Sequence, residues 1–306
     1  MPHRPFLIAG PTASGKSAAA IVLANRIGGA VVNADSMQVY RELSVLTARP
    51  SLADEAAAPH RLYGHVPAAT PYSVGLWLAD VGRTIAELAA EGVTPIIVGG
   101  TGLYFEALLN GLSPVPEIAP DIRVHWRAEA ERIGPERLHA ELFARDPVMA
   151  GRLRSGDPQR VTRAIEVIEA TGRSLAEWQR ETSTPLLRAE AVTRIVMLPE
   201  RDFLYAKCDG RFDRMLQAGA LAEAAALLAQ NLPTERPAMR ATGVPALAAH
   251  LRGELTLAEA TARGKISTRQ YAKRQMTWLR GRMAGWTVVE RTDATTAAER
   301  ILALRG

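Results

Sequence analysis

Gly10-Pro11-Thr12-Ala13-Ser14-Gly15-Lys16-Ser17 has the residue types and spacing of a loop that holds phosphates. Its glycines let the chain curl until several backbone N–H groups converge on one anion. A helix N-terminus directly behind them adds about half a positive charge. Lys16 can reach a terminal phosphate, and Ser17 offers a hydroxyl to Mg²⁺. The loop grips a diphosphate unit without saying which molecule carries it. ATPases built on such a loop also place an acid at a strand end to hold Mg²⁺. Here the strand expected at 95–98 runs instead into Gly99-Gly100-Thr101. Asp35 is the acid well placed at a strand end. It could stand on the metal side, act as a general base toward an acceptor, or cap the turn in Ala-Asp-Ser.

Groups of this kind work only if the fold brings them to one place. Phe6–Ala9, Ala30–Asn33 and Pro95–Val98 read as short buried strands, and 192–198 as a fourth ended by Pro199. Ser17–Ile27 reads as a helix ending near Gly28-Gly29, and 74–91 as one closed by Gly92. Strands alternating with helices predict an α/β fold on a parallel sheet. Ligands of such sheets gather at the carboxyl ends of the strands, where the Gly-rich loop, Asp35 and Thr101 all fall.

The proline-rich segment Leu112–Glu117 breaks this rhythm, and 120–190 reads as helical throughout. Asp157-Pro158 is an N-cap with proline in the first turn. Val161, Ala164, Ile165 and Ile168 then share one helix face, and Gly172 closes the helix. A helical insertion over 115–190 is therefore expected within a core formed by 1–114 and 191–306, whose tail from about 203 is mainly helical.

The chain has 306 residues and a single cysteine, Cys208, which excludes an internal disulfide and a Cys-based metal site. The histidines show no HxxxH or HExxH spacing. No apolar run approaches the roughly 18–20 residues of a membrane span, and the start of the chain lacks the features of a signal peptide, so a cytoplasmic protein is expected. Nothing in the sequence requires a second copy, and a monomer is expected.

The net charge is +5, and its distribution says more than its size. Residues 261–282 carry seven Lys or Arg and no acid, which suggests a polyanion partner or a solvated helix face. On a helix, Ala272, Met276, Leu279 and Met283 form an apolar stripe, with Arg269, Lys273 and Arg280 in a narrow arc beside it. Such a helix could dock by one side and offer a basic ridge to phosphates. Met276 and Trp278 read as packing residues rather than base-stacking ones.

GPTASGKS (10–17), VNADSMQVY (32–40), LTARP (46–50) and IIVGGTGLYFEALLNGL (96–112) together resemble the tRNA dimethylallyltransferase, or tRNA isopentenyltransferase, family. The likeness continues through DPVMAGRLRSGDPQRVTRAIEVIEATGRSL (146–175), RFDRMLQAG (211–219) and TRQYAKRQMTWLR (268–280), in the family's order. The resemblance implies a P-loop NTPase-like core whose loop holds dimethylallyl diphosphate rather than ATP. It implies transfer of the dimethylallyl group to N6 of adenosine 37, 3′ of the anticodon in the tRNA anticodon stem-loop, with Mg²⁺ assisting and pyrophosphate leaving.

By the same resemblance Asp35 is the base, Thr101 donates a hydrogen bond to the reacting region, and Arg211 faces the leaving group beside Lys16. Ser36, Met37, Gln38, Arg123, Asp157, Pro158, Gln159, Arg160, Val161 and Arg163 match tRNA-contacting stretches. The chain departs from the family at Gly243-Val244-Pro245, where Gly-Tyr-Arg is common, at Leu46, where Gly is common, and at Gly64, where an acid is expected. The isolated features also suit a small-molecule or nucleoside kinase. A relative that prenylates free AMP or ATP and a non-catalytic RNA-binding module are further alternatives.

Overall fold

Phe6-Leu7-Ile8-Ala9 is apolar at every position, as a strand covered on both faces must be. In the computed structural model it is the fully buried strand β1 (Phe6–Ala9). The structure describes residues 4–181, 183–290 and 293–304. The chain continues through α1 (Lys16–Ile27), β2 (Ala30–Asn33), α2 (Leu52–Ala57), β3 (His60–Arg61), α3 (Val74–Ala90), β4 (Pro95–Gly99) and α4 (Gly102–Asn110). Then follow the helices α5 (Pro120–Arg145), α6 (Pro147–Ala150), α7 (Pro158–Thr171) and α8 (Leu175–Trp178). The last stretch holds β5 (Thr193–Met197), α9 (Arg201–Gln217), α10 (Ala220–Leu228), α11 (Val244–Leu251), α12 (Leu257–Arg282), β6 (Thr287–Val289) and α13 (Ala294–Ala303).

The strands form one sheet in the order β3-β2-β4-β1-β5-β6, with every pairing parallel. This is the α/β fold expected from the alternation of strands and helices. Ala9 stands level with Gly99, and Asn33 with Val98, so the neighbours β2, β4 and β1 end together. The alternation of side chains along a strand divides the core into two layers. Leu7 and Ala9 pack with Trp77 and Val81 of α3 and Phe105 of α4, while Phe6 and Ile8 pack with Ala19 and Leu23 of α1 and Ile301 of α13.

Two edge strands were not legible beforehand. β3 has two residues, and β6 has three of which two are exposed, so neither carries a usable apolar pattern. The tail is mainly helical, as expected, with β6 extending the sheet beyond β5.

The chain divides into two compact units, Met1–Leu109 with Leu187–Gly306, and Asn110–Leu186. The helical unit thus spans a few residues earlier at each end than the 115–190 expected. Its own core gathers Trp126, Leu138 and Leu142 of α5 around Val161, Ala164 and Ile165 of α7. Asp157 caps α7 by accepting from the Arg160 amide at 3.3 Å, and Gly172 ends it with a φ of 65°. The α5 path breaks at Gly134, whose φ of 79° precedes Pro135. No helix among the described residues is long and apolar enough to cross a membrane.

Candidate active site

The loop after β1 closes on itself before α1 begins. Ser14 N donates to Pro11 O at 3.3 Å, and Gly15, with a φ of 88°, starts the helix from a conformation that a side chain would strain. Lys16 sits in the first turn of α1, only 9% exposed, with Nζ donating to Pro11 O at 3.1 Å. Burial pulls its ammonium down to about 8, against the upward pull of Asp35, and Arg211 lowers it further. An anion arriving here would meet a cation that has shed most of its water.

Asp35 follows β2. Its amide donates to Asn33 Oδ1 at 2.8 Å, and its carboxylate oxygen Oδ1 accepts from Met37 N at 2.9 Å. Fully buried Asn33 fixes this turn from beneath by donating to Asp35 O and Leu62 O. Burial, with the Asp35 charge adding to it, raises the phenols of Tyr63, Tyr104 and Tyr271. The aromatic neighbours of Asp35 are therefore neutral.

The turn after β4 lies against the turn after β2. A Cβ at Gly99 would fall 2.0 Å from Ala34 O, and the missing side chain lets Thr101 N donate to that same carbonyl at 3.2 Å. The Thr101 hydroxyl accepts from Ser36 N at 2.9 Å and donates to Ser36 Oγ at 3.2 Å. It is thereby engaged in holding the Asp35-Ser36 turn. The expected donation to the reacting region would require its proton to leave Ser36.

Arg211 reaches the same cleft from α9, where Nη2 donates to Thr47 O at 3.1 Å. Burial lowers the guanidinium from its ordinary value while Asp35 raises it, and a guanidinium stays charged regardless. Gln38 Nε2 donates to Thr47 O at 2.9 Å and to Ala48 O at 3.1 Å, so its amide nitrogen holds the cleft wall. Glu223 of α10 secures that wall further, accepting from the Ser44, Val45 and Leu46 amides within 2.8 Å. The open cleft is lined by Lys16, Ser17, Asp35, Arg211 and, from α12, Tyr271. Cys208 also lines it, with burial pushing its thiol up to about 11, so it is no thiolate at neutral pH. Sequence reasoning did not single out Cys208, Glu223 or Tyr271 for the site; Tyr271 lies inside the 268–280 block, but nothing local tells which of its residues reaches the cleft across the fold.

The predicted stripe of α12 is buried at Ala272, Met276, Leu279 and Met283, and Trp278 packs against the core. Lys273 and Arg280 are exposed beside it, while Arg269 donates to Asp209 at 2.6 Å. In the helical unit Gln159 and Arg160 are exposed, and Arg123 and Arg163 are half-buried. Val161 is fully buried in that unit's core, so its side chain cannot serve as a contact surface. Gly64 has a physical partner for its departure: a Cβ there would lie 1.9 Å from Arg49 Nη1, which donates to Tyr40 O and Arg41 O. Leu46 and Gly243, two further points of departure, are neighbours; a Cβ on Gly243 would lie 3.1 Å from Leu46 Cδ2.

A family model described as IPP transferase matches residues 38–282, and one described as isopentenyl transferase matches 3–65. This chain belongs to the tRNA dimethylallyltransferase family. The tRNA dimethylallyltransferase of Rhodopseudomonas palustris (strain BisB18) is 54% identical over 97% of this chain and 93% of the relative. That of Rhizobium etli (strain CIAT 652) is 55% identical over 91% of this chain and 94% of its own length. Among solved structures, the full-length tRNA isopentenylpyrophosphate transferase of Bacillus halodurans is 30% identical, with a TM-score of 0.70, covering 99% of this chain and 96% of that one. A eukaryotic dimethylallyltransferase described as acting on tRNA is 28% identical, with a TM-score of 0.82, over 98% of this chain and 78% of its own. The likeness to these two solved structures extends over almost the whole of this chain.

Proposed function

We propose that this member of the tRNA dimethylallyltransferase family moves a dimethylallyl group from dimethylallyl diphosphate to N6 of adenosine 37 in the tRNA anticodon stem-loop. The observation that carries the reading is that a carboxylate, Asp35, faces the same cleft as Lys16, Ser17 and Arg211. An exocyclic adenine amine is a weak nucleophile because its lone pair is delocalised into the ring. It gains reactivity if a carboxylate takes its proton as the C–N bond forms. The N6–carbon bond forms, the allylic carbon–oxygen bond breaks, its electron pair leaves on the diphosphate, and the amine proton passes to Asp35. Negative charge grows on the leaving oxygens, where the loop N–H groups, Lys16 and Arg211 stabilise the transition state more than the ground state. An adenine in a stacked loop must also be turned out before it can be reached.

Mg²⁺ suits the donor set. Ser17 and Asp35 offer hard oxygens to the cleft, and no group of three or more His, Cys, Asp or Glu among the described residues could form a metal cage. Mg²⁺ favours this arrangement, since it binds through one or two protein oxygens together with substrate phosphates and water. When bound, it would neutralise charge on the leaving diphosphate. Ser17 would hold it. Arg123, Arg160, Arg163, Lys273 and Arg280 are among the basic groups available to tRNA phosphates, and their role is sequence-independent attraction.

The test uses labelled dimethylallyl diphosphate or labelled ATP with Mg²⁺ and unmodified tRNA carrying, or lacking, adenine at position 37. Prenyl label entering only the adenine-37 tRNA is the expected result. ATP consumption without prenyl transfer would replace this reading with a kinase.

A further inference from the structure

Gln275 sits on α12 with its side chain turned into the protein, 6% exposed. Its Oε1 accepts from the Thr12 amide of the phosphate loop at 2.8 Å. Its Nε2 donates to the Gly100 carbonyl, in the turn that carries Thr101, at 2.9 Å. These contacts span 263 and 175 residues of sequence and join two loops from neighbouring strands. The Gln275 amide fills the space beside Gly100, where a Cβ would meet Nε2 at 2.2 Å and force it to shift. One donor and one acceptor of a primary amide are thus matched to two backbone groups of opposite kind, an arrangement that no carboxylate, amine or hydrocarbon reproduces at neutral pH.

The two loops that Gln275 joins carry different halves of the reaction. The phosphate loop faces the leaving group. The Gly100-Thr101 turn holds Ser36, and with it the turn bearing Asp35. We propose that Gln275 is a positioning residue that sets the distance between the diphosphate cradle and the base. Its side chain lies behind the cleft wall and acts through Thr12 and Gly100. The inference rests on the prenyl-transfer reading of the cleft. α12 is well suited to the task, since the same helix lines the cleft with Tyr271 and packs against the core through Leu279 and Met283.

The experiment compares Gln275→Met and Gln275→Glu with the unaltered protein, using labelled dimethylallyl diphosphate and tRNA. Prenyl transfer by the unaltered protein is read first, so a failure of the functional reading appears there and not in the variants. Met fills nearly the same volume with neither hydrogen bond. A misplacement near 1 Å can cost on the order of 100-fold in rate, and a kcat loss of about that size with KM for tRNA unchanged is expected. Glu keeps the acceptor for Thr12 N, but its ionised form sets an oxygen against Gly100 O. Protonated, it regains the donor–acceptor pair of the amide. Burial raises the carboxyl above its ordinary range, so the ratio of Glu-variant to unaltered kcat rises as pH falls from 8 to 6. Lys16, Asp35, Cys208, Arg211 and Tyr271 are common to both proteins, so the pH dependence of the ratio reads the carboxyl added at 275 together with its coupling to them. A merely structural role would lower the melting temperature without this pH signature. A flat ratio, or a Met variant with unaltered kcat, would overturn the proposal. If the Met variant does not fold, the ratio for Glu decides alone.

Discussion

Phe212 occupies the space a side chain at Gly264 would need, since a Cβ there would lie 2.1 Å from the ring carbon Cζ. The ring is 2% exposed on α9, and Gly264 lies on the buried face of α12. Arg211, the neighbour of Phe212 on the same helix, lines the cleft and donates to Thr47 O.

Gly264→Ala should therefore act on the site from a distance. The ring lies between Gly264 and Gly243 and is 2% exposed, and overpacking of this kind costs about 1–3 kcal/mol. We expect a lower denaturation midpoint together with a kcat reduced about 10-fold or more, as Arg211 loses its aim at the leaving group. Adding Phe212→Leu should recover part of both. A Gly264→Ala protein with unaltered kcat would show that Arg211 does not depend on this contact.

Donor binding should weaken as pH rises past about 8. Burial holds the free protein's Lys16 ammonium near that value. Below it the lysine is charged and attracts the diphosphate; above it the charge is lost. Bound diphosphate favours the charged form, so KM for the donor rises with pH while KM for tRNA is steadier. For folding the sign is opposite. The folded-state value lies below the unfolded one, so the unfolded chain binds the extra proton between about 8 and 10.5, and this group's contribution to stability rises with pH there. Pyrophosphate titrations by calorimetry between pH 7 and 9.5 would check the binding half. Constant affinity over that range would remove Lys16 from the cradle.

Much of this site was legible because its parts announce themselves locally. The phosphate loop is contiguous, and the apolar runs of β1, β2 and β4 place Ser17, Asp35 and Thr101 at one sheet edge. What the sequence could not show are contacts made across it. Glu223 meets Ser44–Leu46 from 177 residues away or more, and Gln275 meets Thr12 from 263. A buried Gln or a capping Glu has no period or motif of its own. Thr101 stands at the edge its strand predicts, yet its hydroxyl points to Ser36, a detail set by the close approach of Gly99 to Ala34. Val161 belongs to a block that matches tRNA-contacting stretches, while the helix period of the same stretch points it into the core, where it is buried.

Asp35 can be tested against its own alternative. Its Oδ1 accepts from Met37 N at 2.9 Å, the geometry of a turn cap as well as of a poised base. Asn keeps the acceptor and loses the basicity. If the base role holds, Asp35→Asn and Asp35→Ala should both lower kcat by about 100-fold or more, with tRNA affinity by filter binding near that of the unaltered protein. If the carboxylate is only a cap, Asp35→Asn should retain activity and Asp35→Ala should melt earlier.

Arg160→Ala should weaken tRNA binding without harming the fold. The Arg160 side chain is 74% exposed, and its 3.3 Å pairing with Asp157 is a surface contact of little energetic weight. Removing one phosphate contact should reduce the slope of log affinity against log salt by about 0.7–0.9, with KM for tRNA raised and kcat for bound tRNA kept. Arg163 is the less clean probe. It lies 3.6 Å from Glu166, whose buried carboxylate has Arg127 at 3.7 Å as its other partner, so Arg163→Ala also disturbs the interior of the helical unit. A thermal melt separates the two effects, with Arg160→Ala unchanged and Arg163→Ala lowered. An Arg160→Ala protein whose salt slope matches the unaltered one would place the tRNA phosphates elsewhere and return Arg160 to the solvated surface of α7.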